Sequence, residues 1–264
     1  MIPYKDDNPT EKFPFFTICL IVVNVAIFLF LKLQPELAYQ QAVFEFGMVP
    51  YEVWKGINLP FSSYLSLLRR FDHSLALPAV APVYYHPISP YISIFTSMFL
   101  HGGWAHMLGN MLYLWIFGNN VEDYLGHFRF LLLYIFWGTV AALTHLFANP
   151  LSMFPTVGAS GAISGVLGAY LVLYPWARVH VLVPFFFYFF TTTIPAGALL
   201  VFWFLLQFLS ANPFAKTGGA GVAYWAHIGG FIAGYLWMRL FRKKRPPRSY
   251  AFRTRRYRNF NRWI

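Results

Sequence analysis

The chain is short of charged residues for its length. Only 11% of its 264 residues are Asp, Glu, Lys or Arg, and 58% are hydrophobic. A soluble domain carries about a quarter charged residues, so this composition excludes an ordinary soluble domain and predicts one polytopic membrane domain. Cysteine is almost absent as well. Cys19 stands alone inside an apolar run, which excludes an intramolecular disulfide.

Acidic residues are missing from the second half of the chain, and none occurs after Asp123. The nine that exist lie in the N-terminal segment, in a long first loop and in one short loop, outside the apolar stretches. A membrane protease built on paired aspartates is therefore excluded. The sequence also lacks an HExxH motif, which excludes a zinc protease of that type.

Six apolar stretches predict membrane-spanning helices, because a span needs roughly 20 predominantly apolar residues. They cover residues 15–33, 104–119 with an extension back through ISIFTSMFLHGG, 128–148, 160–175, 191–210 and 222–241. A long segment with several prolines, about 36–91, separates the first two, and we expect short helices there that lie on the membrane surface. Residues 179–190 are expected to form an interfacial segment before the fifth span. The predicted fold is all-α, a bundle of six transmembrane helices with a long interfacial loop after helix 1.

Basic residues cluster at the C-terminal end. Eleven occur from Arg239 onward, with no acid among them, and the positive-inside rule then predicts a cytoplasmic tail over 242–264. With six spans in the membrane domain 15–241, the N-terminal segment 1–14 is also expected to be cytoplasmic. A basic tail is compatible with nucleic-acid binding. Its position directly after a span favours a topology signal that contacts membrane lipids, so no nucleic-acid partner is expected.

Polar side chains on three spans are expected at one membrane level, because the second, fourth and sixth spans all start at the outer face. These side chains are His106 and Asn110, Ser160, and His227. With Ser160 as nucleophile and His227 as general base, the chemistry that fits is acyl transfer. No carboxylate lies at this depth, so a Ser–His dyad is the only form available. The side chains of Asn110 and His106, or the backbone N–H of Ser160, are candidates for stabilising the oxyanion.

Small residues recur at a spacing of four in the fourth and sixth spans, at Gly161, Gly165, Gly230 and Gly234. This spacing lets two helix backbones approach closely. Close packing of these spans would bring Ser160 to His227. Ser164 lies one helical turn deeper, and we expect it to pack or to make a local hydrogen bond.

Three motifs together resemble the rhomboid family of intramembrane serine proteases. They are GASG at 158–161, AHIGGFIAG at 226–234 and HGGWAHMLGNMLYLWIFGNNVE at 101–122. The resemblance covers roughly residues 10–241, with the same order of spans. The GxSG motif alone is weak, whereas the three motifs in combination are highly specific.

The resemblance implies that Ser160 is the nucleophile, that His227 is the base, and that His106 and Asn110 help to form the oxyanion hole. It further implies a hydrolase that cleaves transmembrane protein substrates near the outer end of their membrane helix, without metal or cofactor. The short N-terminal segment and the lack of extra domains favour a bacterial plasma (inner) membrane.

Two departures from the family pattern accompany the resemblance. Some members carry an aromatic residue four positions after the nucleophile, where this chain has Ser164, and the long loop lacks a Trp-Arg pair. Two alternative function classes stay open. One is a non-catalytic membrane chaperone that binds client helices, although such relatives typically lose the serine or the histidine. The other is a small transporter or channel. A transporter is disfavoured because charge inside the spans and inverted repeats are both missing. Pro195 and Gly197 suggest a mobile fifth span that admits substrates.

Overall fold

The computed structural model describes residues 1–71, 88–211 and 222–242. Most of the predicted basic tail, from 243 onward, therefore lies outside the described residues, as does 72–87 of the long loop. The helices, in chain order, are α1 (Phe15–Lys32), α2 (Glu36–Phe46), α3 (Pro50–Lys55), α4 (Phe61–Phe71), α5 (Ser93–Thr96), α6 (Trp104–Tyr113), α7 (Asn119–Leu125), α8 (His127–Ala148), α9 (Ser160–Leu173), α10 (Ala196–Ser210) and α11 (Tyr224–Phe241). The strands are β1 (Ile2–Asp6), β2 (Arg178–Phe185) and β3 (Tyr188–Pro195).

The helices differ in how well they fit a membrane. By length and composition, α1 and α8 are long and apolar enough to cross one, whereas α9 and α10 are apolar but shorter. The predicted helical character is thus present, with short helices α2, α3 and α4 in the long loop after α1. The number of spans does not follow from helix length alone.

The predicted second span does not begin as one continuous helix. α5 is followed by a 3₁₀ turn, Ser97–Phe99, and the chain then becomes extended at Leu100 before α6 begins at Trp104. Two consecutive glycines after His101 explain the break, because glycine is a poor helix former. At its other end α6 runs through a π-helical segment, Leu114–Gly118, directly into α7.

A three-stranded antiparallel sheet, in the order β1-β2-β3, is added to the helical fold. β2 and β3 form a hairpin in the segment where an interfacial piece and the start of the fifth span were predicted. The run is rich in β-branched and aromatic residues, which favour strands over helices. α10 consequently begins at Ala196 rather than at about 191. Pro195 lies just before this helix and does not kink it.

α9 occupies the centre of the bundle, and every residue from Gly161 to Tyr170 is buried. Its glycines meet those of α11 at backbone distance. A Cβ built on Gly230 would overlap the carbonyl oxygen of Gly161, and one built on Gly234 would overlap that of Gly165. On the other side of α9, Gly165 lies against the side chain of Trp137 in α8. Side chains larger than hydrogen would separate these helices.

The N-terminus of α1 is capped by a residue far along the chain. Glu122, fully buried, accepts hydrogen bonds from the backbone N–H of Phe16 at 2.9 Å and of Thr17 at 2.8 Å, and from the Thr17 hydroxyl at 2.7 Å. His127 Nδ1 lies 2.6 Å from the same carboxylate. The preceding residue, Pro14, has no polar side chain, so this carboxylate satisfies N–H groups that a helix start leaves unpaired.

Both ends of the described chain lie at the C-terminal end of α9. The Tyr170 hydroxyl donates to Asp6 Oδ2 at 2.5 Å, and the Arg242 guanidinium donates to the carbonyl oxygen of Val172 at 2.8 Å. Ser160, the first residue of α9, lies at the opposite end of the bundle. Asp6 and Arg242 are therefore on the same side of the bundle, away from Ser160.

Candidate active site

A cavity of about 970 Å³ lies at the Ser160 end of the bundle. Residues from the long loop and from α6, α8, α9, α10 and α11 line it, and all four predicted site residues are among them. No carboxylate lines it within the part of the chain that the structure describes. Across the same residues, no group of three His, Cys, Asp or Glu side chains could hold a metal ion.

Ser160 and His227 meet across this cavity. Ser160 Oγ lies 2.8 Å from His227 Nε2. Ser160 begins α9 directly after a turn at Gly158, whose φ of +126° is accessible to glycine and strained for other residues. His227 is nearly buried in the first turn of α11, where it reaches Ser160 because the glycines of the two helices pack so closely.

The other ring nitrogen of His227 also has a partner. Nδ1 lies 2.8 Å from Oε1 of Gln207 in α10. An amide oxygen only accepts hydrogen bonds, so Nδ1 carries the proton and Nε2 is left as the acceptor for the Ser160 hydroxyl. This is the tautomer that a general base toward Ser160 requires. The rings of Trp203 and Tyr224 flank the imidazole, with centroids 5.9 Å and 6.5 Å away.

His106 and Asn110 of α6 lie beside the turn that leads into α9. A Cβ built on Gly158 would be 2.7 Å from His106 Nε2 and 3.6 Å from Asn110 Nδ2. Asn110 Nδ2 is buried and has no hydrogen-bond partner within the described residues. Together with the backbone N–H groups at the start of α9, these side chains bring hydrogen-bond donors to the vicinity of Ser160.

A family model for the Rhomboid domain matches residues 89–244, which is more than half of the chain. The chain belongs to the rhomboid family. It is an integral membrane protein of mostly helical fold, and the sequence resemblance is thereby confirmed.

Relatives of this rhomboid come from bacteria and from organelles. It is 33% identical to Rhomboid protein 1, mitochondrial, of Saccharomyces cerevisiae over 55% of this chain and 40% of that protein. It is 30% identical to RHOMBOID-like protein 1 of Arabidopsis thaliana over 90% and 58% of the two chains. It is 33% identical to Rhomboid protease GluP of Bacillus subtilis over 54% and 24%. The matches thus cover about two-fifths to three-fifths of the first two proteins, and they do not favour the bacterial membrane over an organelle.

Ser164 of the rhomboid makes the local hydrogen bond that the sequence suggested. Its hydroxyl donates to the backbone carbonyl of Ser160 at 2.6 Å. Where some relatives place an aromatic ring after the nucleophile, this chain flanks His227 with aromatic side chains from α10 and α11 instead.

The long loop is fastened to the same end of the rhomboid. The Tyr39 hydroxyl of α2 donates to the carbonyl oxygen of His101 at 2.6 Å, and the Thr96 hydroxyl donates to that of Phe46 at 2.7 Å. The ring of His101 lies edge-on to that of His106, with the centroids 5.2 Å apart. The loop therefore supports the segment that leads into α6.

Sequence reasoning missed Gln207. The signal was present, because Gln207 is the one amide in the apolar run of α10, and a polar side chain within a span usually has a function. His145 of α8 is a second residue that sequence reasoning did not place at the site. It lines the cavity, and its Nδ1 is buried without a hydrogen-bond partner in the described residues.

Proposed function

We propose that this rhomboid is an intramembrane serine endopeptidase that hydrolyses peptide bonds in or near the transmembrane segments of membrane proteins. The observation that carries this proposal is the 2.8 Å contact between Ser160 Oγ and His227 Nε2 in a large cavity. A relative named as a protease, GluP, adds support. No cofactor is needed for this chemistry.

The proposed reaction starts when Nε2 of His227 removes the Ser160 hydroxyl proton while Oγ attacks the substrate carbonyl carbon. The resulting oxyanion accepts hydrogen bonds from Asn110, His106 and the start of α9, and loss of one such donor costs about 3 kcal/mol of transition-state stabilisation in known cases. The protonated His227 then gives its proton to the departing amine. Water, activated by the same histidine, hydrolyses the acyl-enzyme.

The proposed architecture has six spans, namely α1, the continuous α6–α7 segment, α8, α9, α10 and α11. An even number of spans agrees with both ends lying on one side, and the basic residues beyond α11 favour the cytoplasm for that side. The cavity then opens toward the outer face, where water can reach Ser160. The helices of the long loop would lie at the outer membrane surface, among lipids.

The test is cleavage of a single-span reporter by the rhomboid in reconstituted membranes. We expect Ser160→Ala and His227→Ala each to reduce the rate by at least about 10³-fold, because the nucleophile and the base act as a unit. Ser164→Ala serves as the matched control and should keep most of the activity, because its hydroxyl bonds only to a local carbonyl.

Two outcomes would count against the proposal. Cleavage that survives in Ser160→Ala would exclude this nucleophile. A folded parent protein that cuts no member of a varied set of membrane helices, yet retains some of them on purification, would favour the client-binding chaperone.

A further inference from the structure

The bond between Gln207 and His227 occupies the place that a carboxylate takes in a catalytic triad. Gln207 Oε1 contacts Nδ1 at 2.8 Å while Ser160 contacts Nε2 at the same distance, so the imidazole is held at both nitrogens. The titratable groups that act on His227 from neighbouring helices are His106 of α6 and His145 of α8. No carboxylate from α6, α8, α9, α10 or α11 lines this cavity in the described residues.

A neutral amide suits this location physically. A carboxylate here would be a buried charge in a membrane domain, and such a charge is costly unless it is paired. An amide oxygen still fixes the ring orientation and the tautomer, which are the main tasks of the third member of a triad. We propose that Gln207 is the positioning residue of His227, an inference that rests on the proteolytic function proposed above.

The location of Gln207 on α10 has a further consequence. The buried residues of α10 are Ala196, Leu199 and Leu200, all near its first turns, whereas Leu205 and Leu209 are half or more exposed. Outward movement of the far end of α10 would break the bond to His227 without disturbing Ser160. The orientation of the base therefore depends on the position of α10.

The experiment compares Gln207→Met, which keeps the size but loses the acceptor, with Gln207→Glu, which keeps the acceptor. We expect Gln207→Met to lower kcat about 10- to 100-fold, the range for misplacement of a catalytic group, with KM little changed. Gln207→Glu should recover most of kcat and move the acidic limb of its pH profile to higher pH. Leu206→Met, the neighbouring exposed position, is the matched control and should behave like the parent.

The ¹⁵N shifts of the His227 ring provide a readout that does not need cleavage. Gln207→Met should shift the tautomer away from protonated Nδ1, even if the parent proves inactive, so failure of the proposed function and failure of this inference are distinguishable. If Gln207→Met and Gln207→Glu lose kcat equally and the tautomer of His227 is unchanged, Gln207 acts only through packing and the inference is wrong. An unchanged kcat in Gln207→Met would also overturn the inference.

A second inference rests on the β2–β3 hairpin. Its base is packed against the bundle, with Val179 and Val181 fully buried. Its tip carries a run of aromatic residues without charge, and Phe186, Phe187 and Tyr188 are 86%, 93% and 76% exposed. The hairpin thus presents exposed aromatic rings at its tip.

The turn at this tip is chemically unusual. Phe185 pairs with Tyr188, so Phe186 and Phe187 form a two-residue turn, and Phe186 has φ of +51°. Such turns favour glycine or asparagine, and a left-handed conformation is strained for a residue with a Cβ. The sequence therefore keeps aromatic rings at this point although the turn would be more stable without them.

The chemistry of this tip suits contact with the lipid bilayer. The hairpin leads directly into α10, whose exposed face is apolar, and aromatic rings concentrate in the headgroup layer of membranes. At the base of the sheet, Arg178 and Lys5 are exposed beside one exposed acid, Asp7, and the two basic side chains suit anionic headgroups. We infer that the hairpin tip inserts into the headgroup layer of the leaflet on the side away from the cavity.

The test places an environment-sensitive fluorophore on Tyr188→Cys in a Cys19→Ala background, in vesicles of zwitterionic and anionic lipid. We expect blue-shifted emission and at least about two-fold quenching by lipids with a nitroxide on the headgroup. The matched variant also carries Phe186→Asn and Phe187→Gly, which favours the turn while removing the rings, and it should lose this quenching. Water-like emission in the parent would overturn the inference, as would blue-shifted emission without lipid quenching, which would indicate a protein contact.

Discussion

α9 and α10 are nearly equal in length and are both apolar, yet they are packed very differently. α9 is buried from Gly161 to Tyr170, whereas α10 is buried only near its start. The reason is side-chain size, because glycines let α9 lie against α8 and α11, while large side chains on α10 hold it away. The candidate nucleophile and base thus belong to a tightly packed helix pair, and the residue that orients the base belongs to a loosely held helix.

The largest effect is expected where α9 meets α11. Gly234→Ala adds a methyl group that overlaps the carbonyl oxygen of Gly165, and because backbone cannot rotate away, we expect a loss of about 3 kcal/mol of stability, the upper part of the overpacking range. Activity should fall with it. Thermal unfolding in detergent measures the change. Gly109→Ala on α6 has no atom near the new methyl group and should unfold like the parent; equal effects would refute the contrast between tight and open sites.

The turn before Ser160 should respond in activity more than in stability. Gly158→Ala strains a residue with φ of +126° and pushes against His106, so we expect kcat to fall about 10- to 100-fold through displacement of the site. Initial cleavage rates and unfolding temperature are measured together. Gly103→Ala, at an extended residue with open space around it, is the control. Full activity in Gly158→Ala would mean that this turn does not position the nucleophile.

Truncations along α10 should separate its two halves. Leu200 is fully buried and Leu206 is 44% exposed. Leu200→Ala should cost about 2–3 kcal/mol, as for other buried leucines, and Leu206→Ala less than about 0.5 kcal/mol, as for surface changes. Reversible unfolding by a denaturing detergent gives both values. Similar losses at the two positions would show that the outer half of α10 is held as firmly as its base.

The smallest effect concerns the docking of β1. Burial raises the pKa of Asp6 from 3.8 to about 6, against the lowering effect of the Tyr170 hydroxyl. The docked strand therefore binds the proton more tightly, and the contribution of Asp6 to docking should be complete near pH 4 and should be lost as the pH rises through 6. The pKa of Asp7 is lowered by its hydrogen bond to His180, so the loss from Asp7 occurs only at more acidic pH.

Spin-label mobility at Tyr4, compared between pH 4.5 and 7, measures the docking of β1. Asp6→Asn keeps the shape and removes the titration, so its mobility should be less dependent on pH than that of the parent. An identical pH response in Asp6→Asn would assign the effect to another group.

Hydropathy and glycine spacing could predict the helices and the approach of α9 to α11, because both are local patterns in sequence. They could not predict the sheet, since β1 pairs with residues almost 180 positions away. The break before α6 was missed because apolar character continues across it. Gln207 belongs to no motif, and its role depends on how α10 lies beside α11, which no local pattern encodes.

The capping of α1 by Glu122 bears on how the protein is made. The backbone N–H groups of Phe16 and Thr17 bond to a carboxylate that is 105 or more residues further along the chain. Synthesis of that stretch takes roughly 5–20 s at ordinary elongation rates. Until Glu122 has been synthesised, the N-terminal N–H groups of α1 lack this hydrogen-bond partner. The packing of its N-terminal end can therefore be completed only after α7, which carries Glu122, has been synthesised.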